Sequence, residues 1–279
     1  MECIKFPENG QNARKRGNTV KASGCIVTYN AVSSENKKRL LFNAIQNITG
    51  FCKDVDFTLY VVDNASSDGT ADEVADYFSD NPRVKVIAND VNKGFGKAHN
   101  QVMDLIDSEY HFIINPDIIV KDDVIGEMCR FMQNKPACGM VSPDIRFPDG
   151  RVQVLAKRHP KVKYLVSSRL ASDRENNKNL REYAMLDEDL TVPQKIENAS
   201  GCFFGIRTEL FKQIGGFDDR YFMYFEDFDL ARTVDKYAEI WYDPAARVYH
   251  EWGRDSKRNF KLMFIHISST LKYFFKWGF

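Results

Sequence analysis

The sequence predicts an α/β fold with a mostly parallel sheet covered by helices on both faces. Short apolar runs rich in β-branched residues alternate with segments of helical periodicity about 10–13 residues long, which is typical of parallel sheets. Small polar clusters follow these runs. With 279 residues, 43% of them hydrophobic, the chain is long enough to bury a substantial core.

The first half of the chain shows this alternation most clearly. We predict, in chain order, strand Ser23–Tyr29, helix Lys37–Thr49, strand Phe57–Val62, helix Ala71–Phe78, strand Val84–Ala88, helix Gly96–Ile106 and strand Tyr110–Ile114. The first helix has Leu40, Ala44 and Ile48 on one side. The cluster Asp63–Thr70 (DNASSDGT) is typical of a turn before a helix.

Ligands of parallel sheets bind outside the carboxyl ends of the strands. That rule selects the polar residues after successive strands, namely Thr28–Asn30, Asp63–Asn64, Asn89–Lys93 and Asn115–Asp117.

The second half is patterned more weakly, above all between residues 151 and 195. Arg174–Arg181 predicts a mobile loop or an exposed helix end, and Arg158 and Tyr164 fit packing or solvent roles equally well. We further predict a strand at Ile196–Arg207, a turn at Gly215 and Gly216, and two short strands at Ile240–Tyr242 and Arg247–His250.

Composition excludes several classes of protein. Lys plus Arg equals Asp plus Glu at 39 each, so the chain lacks the basic field of a nucleic-acid-binding protein. The six cysteines form no Cys-x-x-Cys pair, and several lie in apolar runs, which favours a reducing, cytoplasmic compartment. No apolar run approaches the length of a membrane span, so we expect a protein that is soluble or lies on a membrane.

The segment Tyr221–Arg232 (YFMYFEDFDLAR) places three carboxylates among aromatic rings. Glu226, Asp227 and Asp229 are costly there unless donors, metal or substrate hold them, because an unpaired buried charge is strongly destabilising. The segment is therefore a candidate catalytic centre. The alternative is a helix start, where acidic residues interact favourably with the helix dipole.

Other residues offer weaker signals. Asp117, after Asn115 and Pro116, could bind a divalent cation that bridges two phosphates, or could simply form a turn. His250 could be a second metal ligand, although a lone histidine is more often structural. Asp63 could accept a hydrogen bond from a nucleotide base or cap the next helix.

The segment Asn92–Gly96 combines a flexible backbone with a cation before a helix, so it could approach sugar or phosphate closely. It is neither a dinucleotide fingerprint nor a P-loop.

Taken together, ordered motifs between about Ser23 and Ser256 resemble glycosyltransferase family 2, with the GT-A fold, and most of all its bacterial rhamnosyltransferases. They are IVTYN (Ile26–Asn30), VVDNASSDGT (Val61–Thr70), NKGFGKAHN (Asn92–Asn100), NPD (Asn115–Asp117), SGCFFGIR (Ser200–Arg207), GGFDDRYFMYFEDFDLAR (Gly215–Arg232) and VYHEWGRDS (Val248–Ser256).

The resemblance implies a role for each matching residue. Asp227 would be the catalytic general base, and Glu226 would orient the acceptor or the base. Asp117 and His250 would hold Mg²⁺ or Mn²⁺ with the donor diphosphate. The predicted nucleotide-sugar-binding residues are Thr28, Asn30, Asp63, Asn92, Lys93, Gly94 and Asn115. Asn115 stands where many relatives have a second Asp, so metal affinity is expected to be modest.

The resemblance also implies an activity: inverting transfer of one sugar, L-rhamnose from dTDP-L-rhamnose, to a glycan or lipid-linked glycan of a bacterial surface polysaccharide. The chain lacks the Gln-x-x-Arg-Trp signature of processive synthases. Transfer of a hexose or N-acetylhexosamine from UDP is the alternative within the family. A catalytically silent nucleotide-sugar-binding protein is the alternative outside it. Arg232 is expected to pair with a carboxylate.

We divide the chain into a flexible lead (1–21), a GT-A domain (22–256) and a basic amphipathic helix (257–279). On a helical wheel, Lys257, Arg258, Lys261, Lys272 and Lys276 adjoin a sector with Phe260, Met263, Phe264, Ile267, Leu271 and Phe274. Such a helix is typical of the membrane interface, here the inner face of the cell membrane. The alternative is a helix that packs on the core with its lysines in solvent.

Overall fold

The computed structural model describes residues 19–153, 155, 157–173, 176–251 and 260–278. Most of the predicted N-terminal lead, together with Lys257, Arg258 and the end of the last motif, therefore lies outside the described residues. Within them, one sheet of nine strands forms the centre of the molecule.

The sheet has the strand order β3-β2-β1-β4-β8-β6-β9-β5, and β7 also pairs with β9. The strands are β1 (Val20–Thr28), β2 (Val55–Asp63), β3 (Val84–Ala88), β4 (Tyr110–Ile114), β5 (Ile118–Ile119), β6 (Cys138–Arg146), β7 (Gln194–Ile196), β8 (Phe203–Arg207) and β9 (Glu239–His250).

The helices are α1 (Glu35–Phe51), α2 (Thr70–Tyr77), α3 (Phe95–Asn100), α4 (Val124–Asn134), α5 (Val162–Leu170), α6 (Lys178–Ala184), α7 (Thr208–Gln213), α8 (Glu226–Val234) and α9 (Phe260–Trp277). The predicted helix Gly96–Ile106 ends early, at Asn100, and continues as turns.

Strand direction divides the sheet into two parts. β1 is parallel to β2 and β4, and β2 is parallel to β3, as the alternation of strands and helices predicts. Beyond β4 the sheet is mixed: β8 is antiparallel to β4 and β6, β6 is parallel to β9, and β5 and β7 are antiparallel to β9. The α/β class is confirmed, with antiparallel pairs that the sequence did not indicate.

Two strand predictions in the second half were wrong in their bounds. Ile196–Arg207 is not one strand, because residues 197–202 leave the sheet and the backbone N–H groups of Glu197 and Asn198 donate to Lys157 O instead. Conversely, Ile240–Tyr242 and Arg247–His250 belong to the single strand β9, which runs through Pro244 with a register shift opposite β6.

Both faces of the sheet are buried. Successive residues of one strand pack in different apolar clusters, as Ile26 and Cys25 do in β1 and Phe112 and Ile113 in β4. This alternation is expected when side chains of a strand point to opposite faces and helices cover both. A third, aromatic cluster joins α8 to α9.

None of the helices in the described part of the chain combines the length and apolarity needed to cross a bilayer.

Candidate active site

The first part of the site forms where β1 and β2 end side by side at Thr28 and Asp63. Both side chains are buried, and Thr28 Oγ1 donates to Asp63 Oδ1 at 3.0 Å. Asp63 Oδ2 accepts from the Ser66 N–H at 2.9 Å, and the Asn30 N–H donates to Ser66 Oγ at 2.8 Å. The start of α2 is instead held by Asp68, which accepts from the Thr70 N–H. The helix-capping alternative for Asp63 was therefore wrong, and Thr28, Asn30 and Asp63 form one cluster.

Asn64 joins this cluster to the predicted donor loop. Its Nδ2 donates to Asn92 Oδ1 at 2.9 Å, and its Oδ1 accepts from the Lys93 N–H at 2.9 Å. Gly94 has φ of +83°, and its neighbour Phe95 donates its N–H to Phe222 O at 2.9 Å. The loop is therefore fixed between the strand ends and the aromatic segment that leads to α8.

Asp117 and His250 lie together because β5 pairs with the end of β9, with Ile118 opposite His250. His250 Nε2 is 3.3 Å from Asp117 Oδ1, and that buried oxygen has no aligned hydrogen-bond donor. Burial disfavours the charged imidazole, but the adjacent Cys202 and Asp117 outweigh it and raise the pKa of His250 above its ordinary value. The two predicted metal ligands are thus in contact.

The third part of the site is the start of α8, where Glu226 and Asp227 follow two residues with positive φ, Tyr224 and Phe225. Asp227 Oδ2 accepts from the Gly201 N–H at 2.9 Å and Oδ1 accepts from the Phe228 N–H at 2.8 Å. The helix-start alternative is confirmed, because the carboxylates occupy the first turn of α8. Backbone donors hold Asp227, and the catalytic role of the segment stays a prediction.

Glu226 and Asp227 differ in the groups that stabilise their charged forms. Burial, and then the nearby Asp227, raise the pKa of Glu226 to about 8, and Glu226 Oε2 is buried without a partner. Burial also raises the pKa of Asp227, but the backbone donors of Gly201 and Phe228 oppose that shift. Of two interacting carboxyls, the one with donors carries the charge. The backbone donors of Gly201 and Phe228 therefore favour the ionised form at Asp227 over that at Glu226.

One turn connects the carboxylate to the predicted metal ligands. Gly201 donates to Asp227, and in the next residue Cys202 O accepts the Asn115 N–H at 2.8 Å. A Cβ at Gly201 would lie 3.2 Å from Asp227 Cβ, so glycine permits this close approach. Asp227 and Asn115 are therefore held by consecutive residues of the same turn.

The residues at Asp117 and His250 fit a divalent cation. A carboxylate oxygen and an imidazole nitrogen suit Mn²⁺ well, and Mg²⁺ commonly binds one or two carboxylates with substrate phosphates completing its shell. No cluster of three or more His, Cys, Asp or Glu side chains able to hold a metal is found among the described residues. The chain would thus supply two ligands, and an Asp117 oxygen that is buried beside His250 without a hydrogen bond is consistent with that role.

The comparison with known sequences decides the family. The sequence profile described as Glycosyl transferase family 2 matches residues 23–215, more than half of the chain. The chain belongs to glycosyl transferase family 2. The match ends before Glu226 and Asp227, so that part of the site rests on its own geometry.

Two curated relatives of this family 2 chain are rhamnosyltransferases. The N-acetylglucosaminyl-diphospho-decaprenol L-rhamnosyltransferase of Mycobacterium tuberculosis is 27% identical over 216 residues, which cover 72% of this chain and 69% of the relative. Rhamnosyltransferase WbbL of Escherichia coli is 25% identical over 193 residues, covering 64% of this chain and 69% of the relative.

Solved structures show the same fold at low identity. GalNAc-T7 with UDP, GalNAc and Mn²⁺ superposes with a TM-score of 0.59 at 15% identity, over 84% of this chain and 44% of that one. Residues 1–349 of S. aureus TarS with UDP superpose with a TM-score of 0.58 at 15% identity, over 90% and 66%. This family 2 chain therefore spans less than half of the GalNAc-T7 chain and about two thirds of the TarS fragment.

Two residues of the aromatic segment have a structural role. Asp229 accepts from Tyr221 Oη at 3.1 Å, Trp277 Nε1 at 2.7 Å and Lys276 Nζ at 2.7 Å, so its charge is used to hold α9. Arg232 donates to Tyr273 Oη and Trp277 O, both at 3.3 Å. Arg232 thus pairs with α9, and no carboxylate partner for it is found in the part of the chain that the structure describes, contrary to the prediction.

Sequence reasoning missed two contributors. Gly201 acts through its backbone N–H, and its place in the SGC motif was the signal that could have identified it. Gln153 is buried and holds His250, since its Nε2 donates to His250 O at 2.6 Å and its Oε1 is 3.2 Å from Nδ1. A lone glutamine in a weakly patterned segment carries no such signal.

Proposed function

We propose that this chain is an inverting, non-processive glycosyltransferase that moves L-rhamnose from dTDP-L-rhamnose to a hydroxyl of a glycan in bacterial surface polysaccharide synthesis. Family membership and the two rhamnosyltransferase relatives support the reaction and the sugar. The observation that carries the mechanism is the Ser200–Cys202 turn, which contacts Asp227 on one side and Asn115 on the other.

Asp227 is the proposed general base. Its backbone donors favour its ionised form over that of Glu226, so it can accept the proton of the acceptor hydroxyl as that oxygen attacks the anomeric carbon of the donor. The bond from this carbon to the diphosphate oxygen breaks as the new glycosidic bond forms, with inversion. The backbone donors of Gly201 and Phe228 orient the carboxylate before the acceptor arrives.

Asp117 and His250 would hold Mg²⁺ or Mn²⁺ together with the donor diphosphate. A bound cation would offset the negative charge that develops on the departing diphosphate. Thr28, Asn30 and Asp63 would bind the base and ribose, and the loop of Asn92, Lys93 and Gly94 would line the sugar-diphosphate pocket beside Asn115.

Replacement of the base tests the mechanism. Asp227→Asn should lower turnover by about 10²–10⁴-fold, the usual contribution of a positioned base, because an amide cannot accept the proton. Donor affinity by calorimetry should stay near the wild-type value. Asp76→Asn, at an exposed position of α2, serves as the matched control. Wild-type turnover in Asp227→Asn would refute this assignment.

Removal of the carboxylate at Asp117 tests the metal role. Asp117→Ala should weaken dTDP binding in Mn²⁺ to the level that wild-type protein shows in EDTA, as measured by isothermal titration calorimetry. Binding that depends on Mn²⁺ as strongly in the variant as in the wild type would exclude this role.

Transfer of a hexose or N-acetylhexosamine from UDP is the alternative, because uracil and thymine present the same imide edge to Asp63. A thermal-shift panel of nucleotide sugars with Mn²⁺ separates the two, since selective binding raises the midpoint of unfolding by mass action. The rhamnose proposal requires the largest shift with dTDP-L-rhamnose.

We also propose that α9 docks this transferase on the inner face of the cell membrane. The helix packs on the fold through Ser269, Tyr273 and Phe274, which are buried. Its exposed apolar side chains are Phe260, Phe264, Ile267, Leu271 and Phe275. At about 100° per residue they lie within an arc of about 80°, here called the apolar stripe. Lys261 and Lys272 adjoin it, an arrangement typical of interfacial helices.

Two residues of the predicted basic and apolar sectors face the protein instead of the membrane. Phe274 is buried, and Lys276 contacts Asp218 and Asp229 at 2.8 and 2.7 Å. The two alternatives for the helix are compatible, because one face packs on the core while the other presents the apolar stripe. A lipid-linked acceptor, named in the Mycobacterium tuberculosis relative, would be reached from such a surface.

A further inference from the structure

The hydroxyl group of Tyr183 is buried without a hydrogen-bond partner among the described residues. Tyr183 lies near the end of α6, and the residue as a whole is partly exposed whereas its Oη is not. The hydroxyl end of the ring therefore points into the protein. A buried hydroxyl that bonds nothing is destabilising, so each such group in a fold needs an explanation.

Neighbouring tyrosines have partners for their hydroxyl groups. The ring of Tyr164 stacks on that of Tyr183, with centres 4.6 Å apart, and its hydroxyl donates to Glu182 Oε1 at 2.8 Å. On α9, Tyr273 Oη accepts from Arg232 Nη1 at 3.3 Å. Within the described part of the chain, Tyr183 is the tyrosine whose buried Oη lacks such a bond. Its hydroxyl is therefore available to a ligand.

Backbone hydrogen bonds connect Tyr183 to the turn that holds Asp227. Tyr183 O accepts from the Lys157 N–H at 3.0 Å, and Lys157 O accepts from the Asn198 N–H at 3.1 Å. Three residues after Asn198, the Gly201 N–H donates to Asp227 Oδ2 at 2.9 Å. The end of α6 is therefore held against the segment that leads to the proposed base.

The side chain of Tyr183 also lies close to the proposed base. Burial, and then the nearby carboxylate of Asp227, raise the pKa of Tyr183 above its ordinary value, and Tyr273 contributes to the shift. The Tyr273 ring centre is 5.4 Å from that of Phe225 and 6.5 Å from that of Phe228, on either side of Asp227 in the chain. The phenol thus keeps its proton at neutral pH and can donate to a group that Asp227 also contacts.

We propose that Tyr183 donates a hydrogen bond to a hydroxyl oxygen of the acceptor sugar, next to the hydroxyl whose proton Asp227 accepts, and so helps to determine which sugar is the acceptor. The inference rests on the proposed function and deepens it by assigning an acceptor-binding residue. Sugars carry hydroxyl groups on neighbouring carbons, so one can donate to the Asp227 carboxylate while the next accepts from Tyr183.

The free protein provides the first test. Tyr183→Phe removes only the hydroxyl, and Tyr164→Phe, at the stacked ring, is the matched control. By differential scanning calorimetry, Tyr183→Phe should melt at or above the wild-type temperature, because the removed group has no partner. Tyr164→Phe should melt below it, because its bond to Glu182 is lost. A lower melting temperature for Tyr183→Phe would overturn the inference, since the hydroxyl would then be bonded within the fold.

Transfer kinetics with dTDP-L-rhamnose and Mn²⁺ test the contact with the acceptor. The acceptor probes are the octyl β-glycosides of N-acetylglucosamine, glucose and galactose. With the glycoside that the wild type uses best, Tyr183→Phe should raise the acceptor KM about three- to tenfold, the usual effect of losing one hydrogen bond between uncharged groups. The donor KM should not change. Tyr164→Phe should have wild-type values of both.

Single-deoxy forms of that glycoside identify the bonded oxygen. Loss of the hydroxyl that Tyr183 binds should raise the acceptor KM of the wild type by about the same factor as the phenylalanine substitution. It should cause no further increase in Tyr183→Phe, because both changes remove the same bond. Equal effects in wild type and variant at every position other than the attacking hydroxyl would refute a direct contact.

Hydrolysis of dTDP-L-rhamnose without acceptor reports on the proposed function separately. A wild type that neither hydrolyses the donor nor transfers its sugar would refute the proposed function. Transfer by the wild type, with an unchanged acceptor KM in Tyr183→Phe, would refute only the role of Tyr183. Hydrolysis without transfer to any of the three glycosides would also overturn that role, because it requires a sugar bound beside Asp227.

Discussion

At the residue scale, Glu226 and Asp227 are neighbours in the chain, but their carboxyl groups differ in the hydrogen bonds they accept. Asp227 has two backbone donors, whereas Glu226 Oε2 is buried with none. One member of such a pair stays protonated, because two neighbouring buried charges repel each other and each is poorly solvated. The raised pKa of Glu226 favours its protonated form beside the proposed base.

This assignment predicts how stability depends on pH. The unfolded chain loses the Glu226 proton near pH 4.5, but the folded chain holds it up to about pH 8. Between these values the native state binds more protons, so this residue lowers the free energy of unfolding as pH rises. Glu226→Gln removes the titration. Its melting temperature should match the wild type near pH 5 and exceed it near pH 8.5.

Differential scanning calorimetry at these two pH values measures the effect. Glu209→Gln, at an exposed position of α7, controls for the loss of a carboxyl group. A difference between Glu226→Gln and wild type that is the same at both pH values would show that Glu226 ionises normally in the fold.

The sequence selected candidate site residues where a motif fixed them, and it missed partners that come from another element. Asp117, His250 and Asp227 could be selected because each follows a strand or sits in an apolar segment. Arg232 could not, because its partners lie on α9, more than 40 residues later. Tyr183 and Gln153 gave no signal, since an isolated polar residue does not reveal its burial.

At the element scale, the loop of Asn92, Lys93 and Gly94 is packed against the segment before α8. A Cβ on Gly94 would lie 2.2 Å from Phe222 O, and φ is +83°. Gly94→Ala should therefore destabilise the protein through both strain and a backbone clash, and should weaken nucleotide binding by displacing the loop.

Gly69 provides a matched control, with φ of +84° and no atom within 4 Å of the place that a Cβ would occupy. Gly69→Ala should lower the free energy of unfolding only through the unfavourable backbone conformation, by of order 1 kcal/mol. Urea unfolding should show a larger decrease in the free energy of unfolding for Gly94→Ala than for Gly69→Ala. Equal losses would mean that Phe222 moves away without cost.

Elements were predictable where strands and helices alternate, and less so beyond β4. Val84–Ala88 and Tyr110–Ile114 have the predicted bounds because each is a short apolar run between turns. The direction of β8 and the splitting of Ile196–Arg207 depend on pairing with β4, β6 and the Lys157 backbone. Such long-range pairing leaves no local pattern in the sequence.

At the scale of the whole molecule, α9 joins the proposed catalytic segment before and within α8 to an exposed surface. Trp277 and Lys276 contact Asp229, and Ser269 Oγ donates to Met223 O at 2.8 Å, so the helix is anchored to the segment that carries Asp227. The apolar stripe lies on the opposite side of α9. A molecule bound through this stripe would hold its catalytic segment at a fixed distance from the lipid surface.

The apolar stripe can be tested by removing two of its side chains. In the full chain, Phe264→Ser combined with Leu271→Ser should reduce the partition coefficient onto anionic vesicles at least tenfold, because two apolar side chains no longer enter the interface. Leu105→Ser, exposed outside α9, is the control and should partition like the wild type. Flotation with phosphatidylglycerol vesicles measures each protein, and vesicles of phosphatidylcholine alone should bind the wild type less, because Lys261 and Lys272 adjoin the stripe. If the double variant floats as well as the wild type, and the two proteins have the same melting temperature, α9 packs against the core and does not contribute to membrane binding.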